Sequence, residues 1–193
     1  MKNPIKLFSQ WFQEAEKNPH ISDHTVMTLA TANRKAAPSV RVVLLKAFDE
    51  RGFVFYTNME SRKSQELKEN PHASLCFYWQ PLGRQVRIEG KVEQVSDKEA
   101  NEYFNSRPFI SRIGAWASKQ SSPLVSRETL MKKVEELQKA YSETNPPPRP
   151  PHWSGWRLTP SAIEFWQEGE FRLHDRDLYT RDGAGWKVQK LYP

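Results

Sequence analysis

The sequence predicts a mainly β fold, a barrel or a highly twisted sheet, with helices at its periphery. Short runs of β-branched and aromatic residues recur along the chain and are separated by turn residues, such as those of segment 49–52 (DERG). A few helical patterns lie between these runs, and we find no internal repeat. The 193 residues suffice for one sizeable core, so we expect a single domain over residues 1–193.

The strand assignments follow from alternation along the chain. Predicted strands cover residues 25–32, 39–48, 52–58, 73–79 and 84–95, with further strands from residue 155 onward. In segment 84–95 the apolar residues Val86, Ile88 and Val92 alternate with charged residues, which predicts one buried and one solvated face.

Segment 172–179 (RLHDRDLY) is also predicted to be a strand. Because side chains alternate between the faces of a sheet, Arg172, His174 and Arg176 are expected on one side. Three cationic or potentially cationic groups in a row repel one another, so an anion is expected opposite them.

Helical signals mark five segments, and a proline-rich connector follows the last of them. The predicted helices cover residues 4–18, 61–70, Ser96 to near Pro108, 109–118 and 126–143. Leu7 and Trp11 share one face of the first helix, which predicts that it docks on the sheet. Ser96 and Glu99 form a capping box. The proline-rich segment 145–153 is expected to be a stiff, extended connector, with a PxxP ligand as the alternative.

Composition excludes several classes of protein. The 29 Lys and Arg residues exceed the 23 Asp and Glu residues, but the two signs are interspersed, which suits small anionic ligands at least as well as nucleic acid. The single cysteine, Cys76, lies in an apolar run, so it is expected to be buried in a protein of a reducing compartment. No apolar stretch approaches the roughly 18 residues of a membrane helix, and no signal peptide is recognisable. We therefore expect a cytoplasmic protein that binds neither membrane nor nucleic acid.

The sequence contains none of the common nucleotide or metal motifs. Neither GxGxxG nor GxxxxGK[ST] occurs, which argues against a Rossmann dinucleotide site and a P-loop. HExxH is missing and the five histidines are scattered, so no metal is expected. No nucleophile elbow of the GxSxG type is present, and covalent catalysis has no obvious candidate.

The start of the 61–70 helix is the first candidate anion site. Acidic residues are favoured at a helix N-terminus, yet this helix begins Ser61-Arg62-Lys63. The hydroxyl, the backbone N–H groups and two cations could together hold a phosphate. Two solvated surface cations are the alternative interpretation.

The helix after Ser96 carries a second candidate anion site. Tyr103 and Arg107 are four residues apart and share a face, and Pro108 stops the helix so that Ser111 can turn back toward them. A phenol, a guanidinium and a hydroxyl can hold a phosphate. An arginine stacked on the tyrosine of its own helix is the alternative.

Further polar residues could contact a ligand. Strict alternation along segment 41–46 places Arg41 and Lys46 on opposite faces, so they serve different groups unless a bulge intervenes. Gln85, Gln120 and Ser121 offer amide and hydroxyl groups suited to a heterocycle with carbonyls and ring nitrogens.

A set of motifs in one order carries a family resemblance. They are RVVLLK (41–46), FYTN (55–58) with SRK (61–63), RQVRIEG (84–90), YFNSRP (103–108), IGAWASKQS (113–121), IEFWQ (163–167) and RLHDR (172–176). Together they closely resemble the pyridoxine (pyridoxamine) 5′-phosphate oxidase family, from about residue 5 to the C-terminus.

The resemblance implies a fold, a reaction and a dimer. The fold would be an FMN-binding split β-barrel, and the homodimer would bind FMN between its subunits, with residues 150–193 contributing to dimerisation and substrate contact. The reaction would oxidise pyridoxine 5′-phosphate or pyridoxamine 5′-phosphate to pyridoxal 5′-phosphate, with oxygen as electron acceptor and hydrogen peroxide as product. In longer relatives an N-terminal extension contributes to covering the substrate, whereas this sequence begins MKNPIKLF, so the resemblance carries over the FMN motifs but not the closure over the substrate or the affinity for it.

The resemblance also implies site residues, motif by motif. FMN would contact Arg41, Val42, Val43, Leu44, Leu45, Lys46, Tyr56, Thr57, Arg62, Lys63, Gln85, Gln120, Ser121, Trp166 and Arg176. Substrate would contact Lys46, Tyr103, Arg107, Ser111, Arg172, Leu173 and His174. The catalytic pair would be Arg172, which could hold the substrate ring, and His174, which could position the substrate hydroxyl or amine or take its proton.

Three other functions compete with this interpretation. A flavin reductase of the same fold would keep the cofactor residues but has little use for the two sets of substrate residues. A non-catalytic protein could instead bind or store FMN or pyridoxal phosphate, and substrate would then not reduce its flavin. A nucleic-acid-binding barrel would show steeply salt-dependent binding.

Overall fold

A computed structural model describes residues 3–193 and contains one antiparallel sheet that curls into a half-barrel. Its strands are β1 (Val26–Ala32), β2 (Pro38–Leu44), β3 (Ala47–Asp49), β4 (Gly52–Asn58), β5 (His72–Trp79), β6 (Arg84–Gln94), β7 (Trp153–Gln167), β8 (Asp175–Asp182) and β9 (Gly185–Lys190). The order across the sheet is β2-β1-β5-β6-β7-β4-β3, and β8 pairs with both β7 and β9. The predicted mainly β fold is confirmed.

Strand β7 causes the sheet to curl because it serves two different neighbours on one edge. Its first half pairs with β4 and its second half with β8, while β6 pairs along its other edge. The β6–β7 ladder contains a bulge between Glu89 and Gly90. A Cβ atom at Gly90 would lie 2.1 Å from the carbonyl oxygen of Thr159, so only glycine permits this close approach.

The chain also forms helices. They are α1 (Pro4–Lys17), α2 (Arg62–Glu69), α3 (Asp97–Ser106), α4 (Phe109–Ala117) and α5 (Arg127–Ala140), with 3₁₀ turns at Gln80–Leu82 and Glu170–Arg172. Of these helices, α2 packs on β1, α3 packs on β7 and α5 packs on α4. Ser96 caps α3 by accepting a hydrogen bond from the backbone N–H of Glu99, as the sequence predicts. No helix within residues 3–193 is long and apolar enough to cross a membrane.

The core is aromatic and centres on the docking helix α1. Phe8 is fully buried, and its ring meets those of Phe48, Phe53 and Phe77 edge-on at 4.9 to 5.2 Å between centroids. Burying a phenylalanine contributes about 1.5–3 kcal/mol. The predicted docking of the N-terminal helix is confirmed.

Two predicted strand boundaries are wrong. Segment 39–48 is not one strand, because pairing stops after Leu44 and resumes at Ala47. Segment 172–179 becomes a strand only at Asp175. Phe171 and Arg172 have φ angles of 55° and 65°, and two successive left-handed residues turn the chain before pairing with β7 begins. Arg172 and His174 therefore do not share a strand face with Arg176.

Candidate active site

A cavity of about 860 Å³ opens between β2, the end of β4 and helices α2, α3 and α4. Fourteen of the residues predicted for the site line it: Arg41, Val42, Val43, Leu44, Lys46, Tyr56, Thr57, Arg62, Lys63, Tyr103, Arg107, Ser111, Gln120 and Ser121. The structure thus brings together, around one space, the two candidate anion sites that were inferred from separate parts of the sequence.

The break between β2 and β3 explains how Arg41 and Lys46 reach the same cavity. The side chain of Leu45 is buried in the core at this break, so the strict alternation of the strand ends. Both cations then line the cavity, which is the bulged arrangement that the sequence left open. Leu45 itself was predicted to contact the cofactor, but its side chain faces the core instead.

Lys63 is the centre of the first anion site. Its buried ammonium donates to Thr57 Oγ1 at 3.0 Å, to Gln120 Oε1 at 2.8 Å and to Ser61 Oγ at 3.2 Å. Burial, together with the nearby charge of Arg41, lowers the pKa of Lys63 to about 8. Its three partners are neutral acceptors rather than a carboxylate, so the positive charge of Lys63 is not neutralised within the site.

The N-terminus of α2 adds backbone donors to this site. Ser61 does not cap the helix, because its hydroxyl donates instead to the carbonyl oxygen of Asn58 at 2.7 Å. No acidic residue lies in the first turn. A helix end with free N–H groups and adjacent cations fits a phosphate.

A buried carboxylate supports two of the cavity arginines. Glu66 accepts from Arg62 Nε at 2.9 Å and from Arg41 Nη2 at 3.2 Å. The hydroxyls of Thr31 and Ser39 also donate to it, both at 2.5 Å. Burial alone would raise the pKa of Glu66, but these hydrogen bonds outweigh it and lower the pKa to about 2. Sequence analysis missed this residue, because a glutamate in a charged helix resembles a solvated surface residue.

Three stacked rings form the wall beside the second anion site. The ring centroid of Tyr56 lies 4.0 Å from that of Tyr103 and 5.2 Å from that of Trp153, and the latter two lie 6.1 Å apart, with all three planes within 11° of parallel. Trp153, the first residue of β7, is a further lining residue that sequence analysis missed. Burial raises the pKa of Tyr56 to about 12, so its phenol stays protonated at neutral pH.

Arg107 lies next to these rings, and one nitrogen of its guanidinium makes no hydrogen bond to the described residues. Its guanidinium carbon is 4.9 Å from the ring centroid of Trp153 and 5.6 Å from that of Phe104, so it does not stack on Tyr103 as the alternative interpretation held. Burial lowers the pKa of Arg107. Its Nη1 atom is buried and has no hydrogen-bond partner within residues 3–193. A buried charged donor of this kind indicates a missing anionic partner.

The remaining predicted residues form a second group, which we call the C-terminal cluster: Gln85, Trp166, Arg172, Leu173, His174 and Arg176. Gln85 pairs with Trp166 across β6 and β7, and Trp166 pairs with Arg176 across β7 and β8. The His174 ring contacts that of Trp166 at a tilt of 43°, with 4.6 Å between the ring centroids. None of the six residues lines the cavity of the same chain.

A tight loop presents the end of the C-terminal cluster to solvent. A Cβ atom at Gly169 would lie 2.2 Å from the carbonyl oxygen of Leu173, so the loop closes only over glycine. The Gly169 N–H donates to His174 Nδ1 at 3.3 Å. Phe171 and Leu173 are 89% and 70% exposed. Exposed apolar side chains on a tight loop are typical of a surface that another molecule covers.

Apolar residues of β1, β2 and β5 extend the exposed surface to the cavity mouth. They are Val26, Val40, Val42, Leu44 and Tyr78, and three of them, Val40, Val42 and Leu44, also line the cavity. An apolar strip of this kind at the rim of a polar cavity is consistent with coverage by a second chain.

Comparison with known proteins assigns the family. Residues 13–141 match the family described as pyridoxamine 5′-phosphate oxidase, and residues 153–193 match the pyridoxine 5′-phosphate oxidase C-terminal dimerisation region. The chain belongs to the pyridoxine/pyridoxamine 5′-phosphate oxidase family. Proteins named pyridoxine/pyridoxamine 5′-phosphate oxidase from Myxococcus xanthus and Paraburkholderia phymatum are 53% and 55% identical to it, over 99% of this chain and 92% and 89% of theirs.

Solved structures confirm the split-barrel fold of this oxidase family member. PhzG from Burkholderia lata, in complex with tetrahydrophenazine-1-carboxylic acid, superimposes with a TM-score of 0.91 at 34% identity, covering 100% of this chain and 94% of PhzG. An FMN-binding protein from Nostoc punctiforme that is related to pyridoxamine 5′-phosphate oxidase has a TM-score of 0.78 at 17% identity, covering 100% and 98%. The second likeness concerns the fold alone.

Proposed function

We propose that this protein is an FMN-dependent oxidase that converts pyridoxine 5′-phosphate or pyridoxamine 5′-phosphate to pyridoxal 5′-phosphate. The observation that carries the proposal is the presence of two cationic sites in one cavity. One contains Lys63 beside an uncapped helix end, and the other contains Arg107 with its buried, unsatisfied nitrogen. Cofactor and substrate each carry one phosphate, so two sites are needed.

The first site fits the cofactor phosphate. Arg62, Lys63 and the N-terminus of α2 would hold it, and Tyr56, Thr57, Gln120 and Ser121 would contact the rest of FMN along the cavity wall. When bound, FMN would supply the hydride acceptor, and oxygen would take the electrons onward to hydrogen peroxide. The protein then needs no nucleophile of its own.

The second site fits the substrate phosphate. Arg107 would donate to it from a desolvated position, where a charge-assisted hydrogen bond is strong. Tyr103 and Ser111 line the cavity beside Arg107 and would add hydroxyl donors, and Lys46 would add charge. A phosphate fixed at one end orients the reacting carbon at the other end of the substrate.

We further propose that the C-terminal cluster acts on the cavity of the partner subunit in a homodimer. The cluster lies outside the cavity of its own chain, and the surface around both is apolar and exposed. The match of residues 153–193 to a dimerisation region supports this arrangement. Two-fold symmetry would give each dimer two complete sites.

In that arrangement Arg172 and His174 would face the substrate ring and Arg176 would face the flavin. Arg172 would hold the ring and stabilise developing charge. Because the backbone N–H of Gly169 donates to Nδ1, a neutral His174 carries its proton on Nε2 and offers a donor there. This favours a role in positioning the substrate hydroxyl or amine over a role in taking its proton.

An anaerobic titration tests the proposed function. The FMN-loaded protein is mixed with pyridoxine 5′-phosphate without oxygen, the flavin absorbance band is followed, and oxygen is then admitted. We expect bleaching, followed by recovery of the band with formation of pyridoxal 5′-phosphate and hydrogen peroxide. Unphosphorylated pyridoxine is the matched control and should bleach the band far more slowly. A flavin that stays oxidised with the phosphorylated substrate would contradict the proposal.

The likeness to PhzG supplies a second substrate for the same experiment. Tetrahydrophenazine-1-carboxylic acid is tricyclic and carries a carboxylate in place of a phosphate. The Arg107 site favours the phosphate ester, since a desolvated guanidinium binds a dianion more strongly than a monoanion. Bleaching by the phenazine compound but not by pyridoxine 5′-phosphate would assign the chain a phenazine activity.

A further inference from the structure

Glu66 lies beneath the first anion site without lining the cavity. We propose that Glu66 is a positioning residue for the FMN phosphate, which it serves by holding Arg62 and Arg41 in place. The inference rests on the proposed function, because it assumes that the phosphate of FMN occupies the site at the start of α2.

The hydrogen bond from Arg62 to Glu66 leaves the two terminal nitrogens of the guanidinium free to bind a phosphate. Glu66 engages Nε of Arg62 at 2.9 Å, one helical turn away in the same helix. The two terminal nitrogens of Arg62 remain available at the cavity, where 65% of the side chain is exposed. A guanidinium anchored at Nε presents its forked end as a preformed bidentate phosphate ligand.

Arg41 has a different part in the network. Its Nη1 donates to Thr31 Oγ1 at 2.5 Å, and its Nη2 donates to Ser39 Oγ at 2.6 Å and to Glu66. These bonds occupy both terminal nitrogens, so Arg41 acts as a brace between β1, β2 and α2 rather than as a forked phosphate ligand. The carboxylate is the common partner of all four surrounding side chains.

The charges in this network suit a phosphate monoester. Arg41, Arg62 and Lys63 bring three positive charges to one wall, and Glu66 removes one of them, leaving two. A phosphate monoester carries about −1.5 to −2 charges near pH 7. Without Glu66 the three cations would repel one another and turn toward solvent, so the carboxylate keeps the site ordered before the ligand arrives.

The test compares the binding of FMN and of riboflavin, which lacks the phosphate, by fluorescence quenching. We expect Glu66→Gln to weaken FMN binding by about 10- to 100-fold, the usual range for losing a hydrogen bond to a charged group. Riboflavin binding should stay within about twofold, since riboflavin does not use the anchored arginine. Glu69→Gln, an exposed position in the same helix, is the matched control and should change neither constant.

A double-mutant cycle separates positioning from general stabilisation. Arg62→Lys keeps the charge but removes the anchored fork, so it should weaken FMN binding as much as Glu66→Gln does. The double variant should then be no weaker than either single variant. A purely structural role would lower the affinity for FMN and riboflavin equally, together with Tm, and would overturn the inference. If Glu66→Gln does not fold, the Arg62→Lys variant provides the test by itself. An unchanged FMN affinity in Arg62→Lys would contradict the proposal that an anchored Arg62 binds the phosphate.

FMN and riboflavin binding by the wild-type protein distinguishes a failure of the proposed FMN site from a failure of the proposed role of Glu66. If it binds FMN no more tightly than riboflavin, the cofactor assignment itself fails. If it prefers FMN strongly and Glu66→Gln retains that preference, only the role of Glu66 fails.

Discussion

The cavity and the C-terminal cluster differ in how far one chain completes them. At the cavity wall, Lys63 is buried and donates to Gln120, and the half-buried Arg41 donates to Glu66 beneath it, so the wall is preorganised. In the C-terminal cluster, Arg172 and Leu173 are exposed on a loop and do not line the cavity. The difference teaches that one chain preorganises the cationic wall of the cavity by its own hydrogen bonds, whereas it leaves the C-terminal cluster exposed.

The same difference appears in how the charged groups are balanced. Arg176 of the C-terminal cluster already has a carboxylate partner, since Glu164 accepts from it at 2.8 Å. Arg107 of the cavity has no hydrogen bond at Nη1 within residues 3–193. The charge of Arg176 is therefore paired within its own chain, whereas Arg107 has a buried donor that fits an anionic ligand.

Arg107→Met is expected to have the largest effect. Removing a desolvated charge that binds phosphate should lower kcat/KM for pyridoxine 5′-phosphate by about 10²- to 10³-fold. Tm without ligand should stay the same or rise, because a buried, unsatisfied donor is removed. Steady-state kinetics and calorimetry measure the two effects. Arg127→Met on the exposed side of α5 is the control, and a variant with a clearly lower Tm would show that Arg107 serves the fold instead.

Mixed dimers test whether the two regions meet between subunits. Arg107→Met and Arg172→Ala should each be nearly inactive as homodimers. A purified heterodimer of the two should recover about half of the wild-type activity, because one of its two symmetric sites combines an intact cavity with an intact cluster. Differently tagged subunits, co-expressed and purified through both tags, give the measurement. No recovery would place Arg172 and Arg107 in the same chain's site or in no common site.

The fold and most of the cavity were predictable because their signals are local. Alternation in β6 and the Ser96 cap specify elements directly, and Ser61-Arg62-Lys63 indicates an anion because its charges oppose the helix dipole. The resemblance contributed the remaining cavity residues as a set.

The missed features depend on contacts that are distant in sequence. Leu45 turns into the core because of packing against other strands, so alternation in segment 39–48 could not show the break. The left-handed conformation of Phe171 and Arg172 has no local signal, since neither residue favours it. Glu66 acquires its role from Thr31 and Ser39, which lie about 30 residues away. In each case tertiary contacts override the local pattern.

Because the pKa of Lys63 is lowered, we expect the stability of the ligand-free protein and its affinity for FMN to change with pH in opposite directions. The Lys63 pKa of about 8 lies below the ordinary lysine value near 10.5, so between these values the unfolded chain binds more protons. The stability of the ligand-free protein should therefore gain from Lys63 as pH rises from about 8 to about 10.5. FMN affinity should fall by up to about tenfold per pH unit over the same window, because the neutral amine does not attract phosphate.

Lys63→Met should abolish both dependences. Denaturant unfolding and FMN titration from pH 7 to 10 measure them as differences from the wild-type protein, and Lys91→Met, at an exposed position of β6, serves as the control. If FMN affinity in the wild-type protein stays constant across pH 8 to 10, the phosphate does not contact Lys63.

His174→Asn is expected to have the smallest effect on turnover. With Nδ1 accepting from Gly169, His174 offers one neutral donor, whose loss lowers kcat/KM by about 3- to 10-fold. The pH profile of kcat should keep its shape, because no proton passes through the imidazole. A general base in this position would cost about 10²- to 10⁴-fold and its loss would remove the acidic limb of the profile. His20→Asn, at an exposed position far from His174 in the sequence, controls for a change in overall charge. Steady-state rates from pH 5 to 9 therefore distinguish a histidine that positions the substrate from one that takes its proton.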